Sequence, residues 1–180
     1  MDQLTDNSLM LMVKNGDLGK MSLLFERYHK PLFGYLFHQT GQRVESEDLV
    51  QTVFYLMLKN RNTFSADGAF RAWMYQIARN TLINSAKKGN RMVYKADFTG
   101  NESQLIEHDL EKNFEHNEAR AQLENTISRL PADQREILIL SKYQELPYRE
   151  IAEILKTTEG NVKVKVFRAV EELKKLYKKN

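Results

Sequence analysis

Between Pro147 and Tyr177 the chain restricts its own fold more tightly than anywhere else. A short stretch of periodic apolar residues, a turn of Lys156, Thr157 and Thr158, and a longer basic stretch follow one another. Proline suits a helix's first turn, where its missing N–H would find no partner anyway, and Thr158 can accept from the free N–H groups of the next helix. The spacing predicts a helix from Pro147 to Leu155 and another from Glu159 to about Tyr177, which is a helix-turn-helix. Ile151, Ile154 and Leu155 give the first helix an apolar face, and Ala152 supplies the small side chain that two closely crossing helices need. Val162, Val166, Ala169, Val170 and Leu173 share one arc of the second, so that arc faces the core.

The opposite arc carries Asn161, Val164 and Arg168, with Lys163, Lys165 and Phe167 at its edges. A solvated face gains nothing from a central valine. In a major groove Arg168 can pair with guanine O6 and N7, Asn161 with a base or phosphate, Val164 with a thymine methyl, and the lysines with phosphates. An ordinary helical hairpin with a basic surface is the competing account. The motif recurs among unrelated regulators, so by itself it argues for DNA and not for a family.

Helix punctuation organises the rest. Only three prolines and eight glycines interrupt 180 residues rich in Leu, Lys, Glu, Ala and Met, which predicts an all-α chain. Helices are expected near Ser8 to Asn15, from Leu18 to Tyr28 with Asp17 as cap, from Pro31 to Thr40 ending at Gly41, and from Glu45 to Asn60. A loop Arg61 to Gly68 and a long helix Ala69 to Lys88, closed by Gly89, complete a first domain over residues 1–90. From 91 to 117 the apolar period fades and acidic and amide residues dominate, with Phe98, Leu105, Ile106, Leu110 and Phe114 scattered among them. That stretch is expected to be a flexible acidic linker. Helix resumes near Glu118 and again from Pro131 to about Gln144, so residues 118–180 form a second small domain ending in the helix-turn-helix.

Charge follows the same division. Residues 1–90 carry 11 Lys/Arg against 8 Asp/Glu, residues 91–118 carry 3 against 7, and residues 119–180 carry 13 against 9. Two mildly basic ends flank an acidic middle, too weakly basic for tight nucleic-acid binding unaided. The absence of cysteine removes disulfides and thiolate metal sites. The only apolar run near the start, Leu9 to Val13, is too short for a signal or a membrane span, so a soluble cytoplasmic protein without membrane insertion is expected. His29, His38, His108 and His116 lack ligand spacing, so neither a metal nor another cofactor is expected. No catalytic triad, phosphate loop or paired-carboxylate site points to an enzyme.

Within Glu45 to Asn60, Leu49, Val50, Val53, Leu56 and Met57 form one arc, while Glu47, Asp48, Gln51, Thr52, Tyr55 and Leu58 form the other. An outward arc holding Tyr55 and Leu58 among polar groups has the make-up of a partner surface. In the long helix Phe70, Trp73, Met74 and Ile77 share a core face, and Arg71, Tyr75, Arg79 and Lys87 occupy the other side, suited to a nucleic-acid backbone.

The run Glu47-Asp48-Leu49-Val50-Gln51-Thr52-Val53-Phe54, then Phe70-Arg71-Ala72-Trp73-Met74-Tyr75-Gln76-Ile77-Ala78-Arg79-Asn80, then Leu130-Pro131 and Tyr148-Arg149-Glu150-Ile151-Ala152, resembles bacterial sigma factors of the extracytoplasmic-function type in order and spacing. The resemblance covers nearly the full chain. It implies a non-catalytic subunit that binds core RNA polymerase and directs promoter recognition, melting and transcription initiation. Core polymerase would be met through the clamp helices of its largest subunit, by Asp48, Gln51, Thr52, Tyr55 and Leu58, and through the flap of its second-largest subunit. The minus-10 element would be read by Phe64, Ser65, Arg71, Tyr75, Arg79, Asn80 and Lys87. Of these, Phe64 and Asn80 would belong to a pocket for an extruded base, with Phe64 stacking on that base or walling it in. The wheel sets Asn80 close to Trp73, which leaves a buried, locally satisfied amide as the alternative. The minus-35 element would fall to Asn161, Lys163, Val164, Lys165, Phe167 and Arg168. An anti-sigma factor is an expected further partner.

The linker's 27 residues can span at most roughly 90 Å. Two DNA sites about two helical turns apart lie roughly 70 Å from one another, so both can be read at once. The competing function is a stand-alone helix-turn-helix regulator that binds duplex DNA as a dimer, and a helical scaffold without a DNA role is a third.

Overall fold

The computed structural model describes residues 4–88 and 114–178, with backbone alone for 114–117, and every regular element in these stretches is helical. Helix α1 spans Asp6–Lys14, α2 Met21–Thr40, α3 Arg43–Lys59 and α4 Phe70–Lys88. After the undescribed residues come α5 Phe114–Ser128, α6 Ala132–Leu138, α7 Tyr148–Leu155 and α8 Glu159–Tyr177. Most of the expected 91–117 linker therefore lies outside the described residues, and α5 starts ahead of the expected Glu118.

Caps explain several boundaries. Thr5 Oγ1 accepts from Ser8 N at 3.1 Å and Thr158 Oγ1 from Asn161 N at 3.2 Å, each satisfying a first-turn donor. Gly41 closes α2 at φ 67°, with its N–H on the Phe37 carbonyl at 2.8 Å, a left-handed closure that favours glycine. Asp17 makes no side-chain cap and precedes only a single 3-10 turn, Leu18–Lys20.

Proline 31 does not divide two helices: α2 runs straight through it. Proline removes one intrahelical bond and crowds the carbonyl four residues back. Leu24, Leu32, Tyr35 and Leu36 are all fully buried as α2 packs against α1, α3 and α4, and that burial outweighs the local penalty. The helix predicted from Pro131 to Gln144 instead changes its winding at Ile139. A wider π-type turn, Ile139–Tyr143, is closed by Gln144 N on the Ile139 carbonyl at 2.9 Å. The wider winding lets the consecutive residues Ile137, Leu138, Ile139 and Leu140 all reach the core.

The two helical domains meet where α4 lies on α7 and where α2 touches α6 and the π turn. His38 sits at this junction, 3% exposed, with its ring 4.8 Å from that of Tyr143. Its Nε2 has no hydrogen-bond partner among the described residues. Burial first, then the charges of Arg135 and Arg120, pull its pKa down to about 4. The unfolded imidazole titrates near 6.5, so the unfolded state binds the extra proton between those values. The contribution of His38 to stability is complete above pH 6.5 and is lost as the pH drops towards 4. The loss expected from this group is about 3 kcal/mol. Raised pKa values of Glu124 and Glu150, both driven mainly by burial, act in the opposite sense. Urea unfolding at pH 7 and pH 4.5 checks this, with His38→Gln flattening the difference.

Candidate nucleic-acid interfaces

The helix-turn-helix forms as the spacing predicts. Lys156 takes a left-handed conformation, φ 52°, and turns α7 into α8. Val162, Val166 and Ala169 of α8 are buried, with Val170 and Leu173 half-buried behind them. Lys163, Val164, Lys165, Phe167 and Arg168 are all exposed, Val164 at 46% and Phe167 at 67%. Asn161 is exposed too, but its amide is already engaged, Nδ2 donating to Thr157 Oγ1 at 2.7 Å. The amide thus braces the turn. A ridge of two apolar side chains among three cations can approach both base edges and phosphates.

The loop between α3 and α4 is held from beneath by α1. Asn7 Nδ2 donates to the Gly68 carbonyl at 2.7 Å, and its Oδ1 accepts from Phe70 N at 2.9 Å, so a residue far back in the chain caps α4. Lys14 Nζ donates to the Phe64 carbonyl at 2.6 Å, and Trp73 Nε1 to Thr63 Oγ1 at 3.2 Å. Phe64 itself offers no open stacking face. It is 1% exposed and lies edge-on to Trp73, with ring centres 5.3 Å apart. It can floor a pocket but cannot stack on a base in this arrangement. Ser65, Asn80 and Lys87 are exposed. Asn80 is no buried amide, because its helical neighbour Trp73 is itself only half-buried.

The outward side assigned to α4 is corrected at Tyr75, which is 1% exposed. Its hydroxyl donates to Gln144 Oε1 at 2.7 Å, and its ring lies edge-on to Tyr35 at 5.3 Å. Arg71 donates to the Gln144 carbonyl, Gln76 Nε2 to the Glu153 carbonyl at 3.2 Å, and Arg79 Nε to Glu136 Oε1 at 2.9 Å. Tyr35 donates to that same Glu136 oxygen, also at 2.9 Å. Burial above all, and then the Glu136 charge and hydrogen bond, push the Tyr35 phenol well above its ordinary pKa. The C-terminal part therefore buries Tyr75 and engages Arg71 and Arg79, which stay partly exposed, and leaves Ser65, Asn80 and Lys87 open.

On α3, Leu49, Val50, Val53 and Met57 are buried, and Asp48, Gln51, Thr52 and Tyr55 are exposed, Tyr55 at 61%. Leu58 departs from the expected arc, half-buried against the core. Phe25 of α2, 42% exposed with its ring 4.9 Å from that of Phe54, extends this face. An isolated phenylalanine at helical spacing looks like core, so nothing in the sequence singles it out. Asn7, Lys14, Glu136 and Gln144 carry no motif either, because each acts on residues far off in sequence.

Two families match. Residues 24–92 fit Sigma-70 region 2, and residues 120–173 fit Sigma-70, region 4. The chain is 30% identical over 178 residues to the ECF RNA polymerase sigma-E factor of Haemophilus influenzae, covering 94% of each protein. It is 29% identical to the RNA polymerase sigma-H factor of Pseudomonas aeruginosa, over 94% of this chain and 92% of that one. The solved structure of CnrH with the cytosolic domain of CnrY has the same fold, at TM-score 0.74 and 19% identity over 97% of this chain and 98% of that one. The sigma factor RpoE of Bartonella quintana, solved with the anti-sigma factor NepR, aligns at TM-score 0.64 and 26% identity, over 82% of this chain and 89% of that one.

Proposed function

This chain belongs to the extracytoplasmic-function sigma factors of the sigma-70 family and directs RNA polymerase to promoters, and from that premise we propose how its surfaces divide the work. Residues 1–90 bind core polymerase and read and melt the minus-10 element, residues 91–117 link, and residues 118–180 read the minus-35 element. The observation that carries this reading is the outward ridge of α8, where Val164 and Phe167 stand exposed among Lys163, Lys165 and Arg168. Apolar side chains among cations suit base edges flanked by phosphates better than they suit water.

In the N-terminal domain, Ser65, Asn80 and Lys87 form the part of the minus-10 surface open in the free chain, with Phe64 as the floor beneath the loop. Arg71, Tyr75 and Arg79 join it only once the C-terminal helices move away. The exposed arc Asp48, Gln51, Thr52 and Tyr55, extended by Phe25, meets the clamp helices of the largest polymerase subunit, and the C-terminal domain meets the flap of the second-largest. Leu58 supports that arc from behind. The chain acts in the cytoplasm, where the polymerase is, and no described helix is long and apolar enough to cross a membrane. The NepR-bound relative supports an anti-sigma partner here as well. In this reading the chain contributes binding alone, and catalysis stays with the polymerase.

The combined variant Asp48→Ala with Tyr55→Ala tests the polymerase surface. Exposed side chains seldom contribute much stability, so helicity and thermal melting should hold while co-elution with core polymerase at limiting concentration falls. Undiminished co-elution would remove this arc from the interface.

A further inference from the structure

Both ends of the loop between α3 and α4 are tied to one helix, α1. At the α4 end, Asn7 Nδ2 donates to the Gly68 carbonyl and Asn7 Oδ1 accepts from Phe70 N. At the α3 end, Lys14 Nζ donates to the Phe64 carbonyl at 2.6 Å. Seven residues separate Asn7 from Lys14, so the two side chains share a face of α1 and stand about 10 Å apart along its axis. The helix is therefore a ruler for the span from Phe64 to Phe70. Gly68 and Ala69 have no side-chain acceptor to offer, so the Phe70 N–H at the start of α4 takes its cap from Asn7. α1 keeps its own place without these ties. Its Leu9, Met10 and Val13 are fully buried, and its Asp6 accepts from both Arg27 and Tyr28 of α2. Between the ties Ser65, Ala66 and Asp67 stand exposed, drawn into a turn by the Gly68 N–H on the Ser65 carbonyl at 3.1 Å.

We propose that Asn7 and Lys14 are positioning residues for base capture: by fixing both ends of the loop they set the shape of the minus-10 pocket of Phe64, Ser65 and Asn80, without touching the base themselves. A pocket that accepts one extruded base over the others needs its groups held to within about half an ångström. Exposed loop residues cannot supply that precision by packing. Two ties from a helix anchored in the core can, and the bond from the Lys14 ammonium is charge-assisted and so the stronger kind. This role rests on the assignment of the loop to the minus-10 element, and the test separates the two.

Asn7→Asp keeps the acceptor that caps α4 and removes only the donor to Gly68. Lys14→Met keeps the apolar stem and removes the tie to Phe64, and Lys14→Arg restores a cationic donor. Each full-length variant, beside wild type and Asn80→Ala, is combined with core RNA polymerase and given a promoter pool randomised in both elements. If the untied loop keeps its binding shape in about one chain in ten, capture of the favoured minus-10 base weakens about tenfold. Asn7→Asp and Lys14→Met should show that loss, while their minus-35 preference and thermal melting stay as in the wild type. Lys14→Arg should retain the wild-type minus-10 preference. Should Asn80→Ala lose the minus-10 preference while Asn7→Asp and Lys14→Met keep it, the positioning role is overturned and the pocket stands. An unchanged minus-10 preference in all three would overturn the pocket beneath the proposal. Equal losses at both elements, or a loss that tracks a lowered melting temperature, would make the two ties merely structural and overturn the proposal as well.

Discussion

Phe64→Ala is expected to destabilise the protein by about 3 to 5 kcal/mol, the range for removing a fully buried phenylalanine ring. Phe64 is 1% exposed and lies edge-on to both Trp73 and Phe70, at ring-centre distances of 5.3 and 6.3 Å. Its carbonyl also holds Lys14, so the cavity lies directly under the α3–α4 loop. A small domain has a total stability of about 5 to 15 kcal/mol, so this loss is a large share of it. Denaturant unfolding followed by the fluorescence of the single tryptophan, Trp73, reads the change at the site itself. Phe64→Leu should recover most of the loss, because it keeps apolar volume. A change below about 1 kcal/mol for Phe64→Ala would mean that the ring is not core. Any defect of Phe64→Ala in promoter opening must therefore be judged beside Phe64→Leu, since a softened loop impairs opening without any contact between ring and base.

The elements were legible where one local pattern decides the outcome. Thr158 caps α8 because its side chain and the donor it satisfies lie three residues apart, and the arcs of α3 and α8 sort into core and surface because each packs on one side. Patterns failed where distant residues decide. Tyr75 sits on the polar side of α4, but α4 is covered by α2 and α3 on one side and by α7 on another, so two faces are buried where a wheel allows one. Pro31 reads as a boundary, and only the packing along the whole of α2 overrides it. Asn7 caps α4 across 63 residues, and Gln144 reaches Pro31 across 113, distances at which a sequence holds no periodicity to follow. Of the candidate site, the α8 ridge and, Leu58 apart, the exposed arc of α3 were visible in advance, whereas the burial of Tyr75 and the engagement of Arg71 and Arg79 depend on how the domains meet.

Arg168→Ala should carry the largest effect on specificity. Arg168 is exposed on the outward arc of α8, and a bidentate arginine–guanine pair is worth about 1 to 3 kcal/mol of discrimination against the wrong base. That corresponds to roughly 5- to 150-fold at one position of the minus-35 element. Lys163→Ala should instead weaken all sequences alike and lower the salt dependence by about one phosphate contact. The most direct measurement is therefore transcription by core RNA polymerase from a promoter pool randomised in the minus-35 element, with no added chain, with the wild-type chain, with Arg168→Ala and with Lys163→Ala. Initiation should require the chain, show a defined base preference with the wild type, lose that preference at a single base pair with Arg168→Ala, and keep it at lower yield with Lys163→Ala. No chain-dependent initiation from any member of the pool would contradict the account at its centre, and an Arg168→Ala profile identical to wild type would remove α8's outward arc as the reading surface.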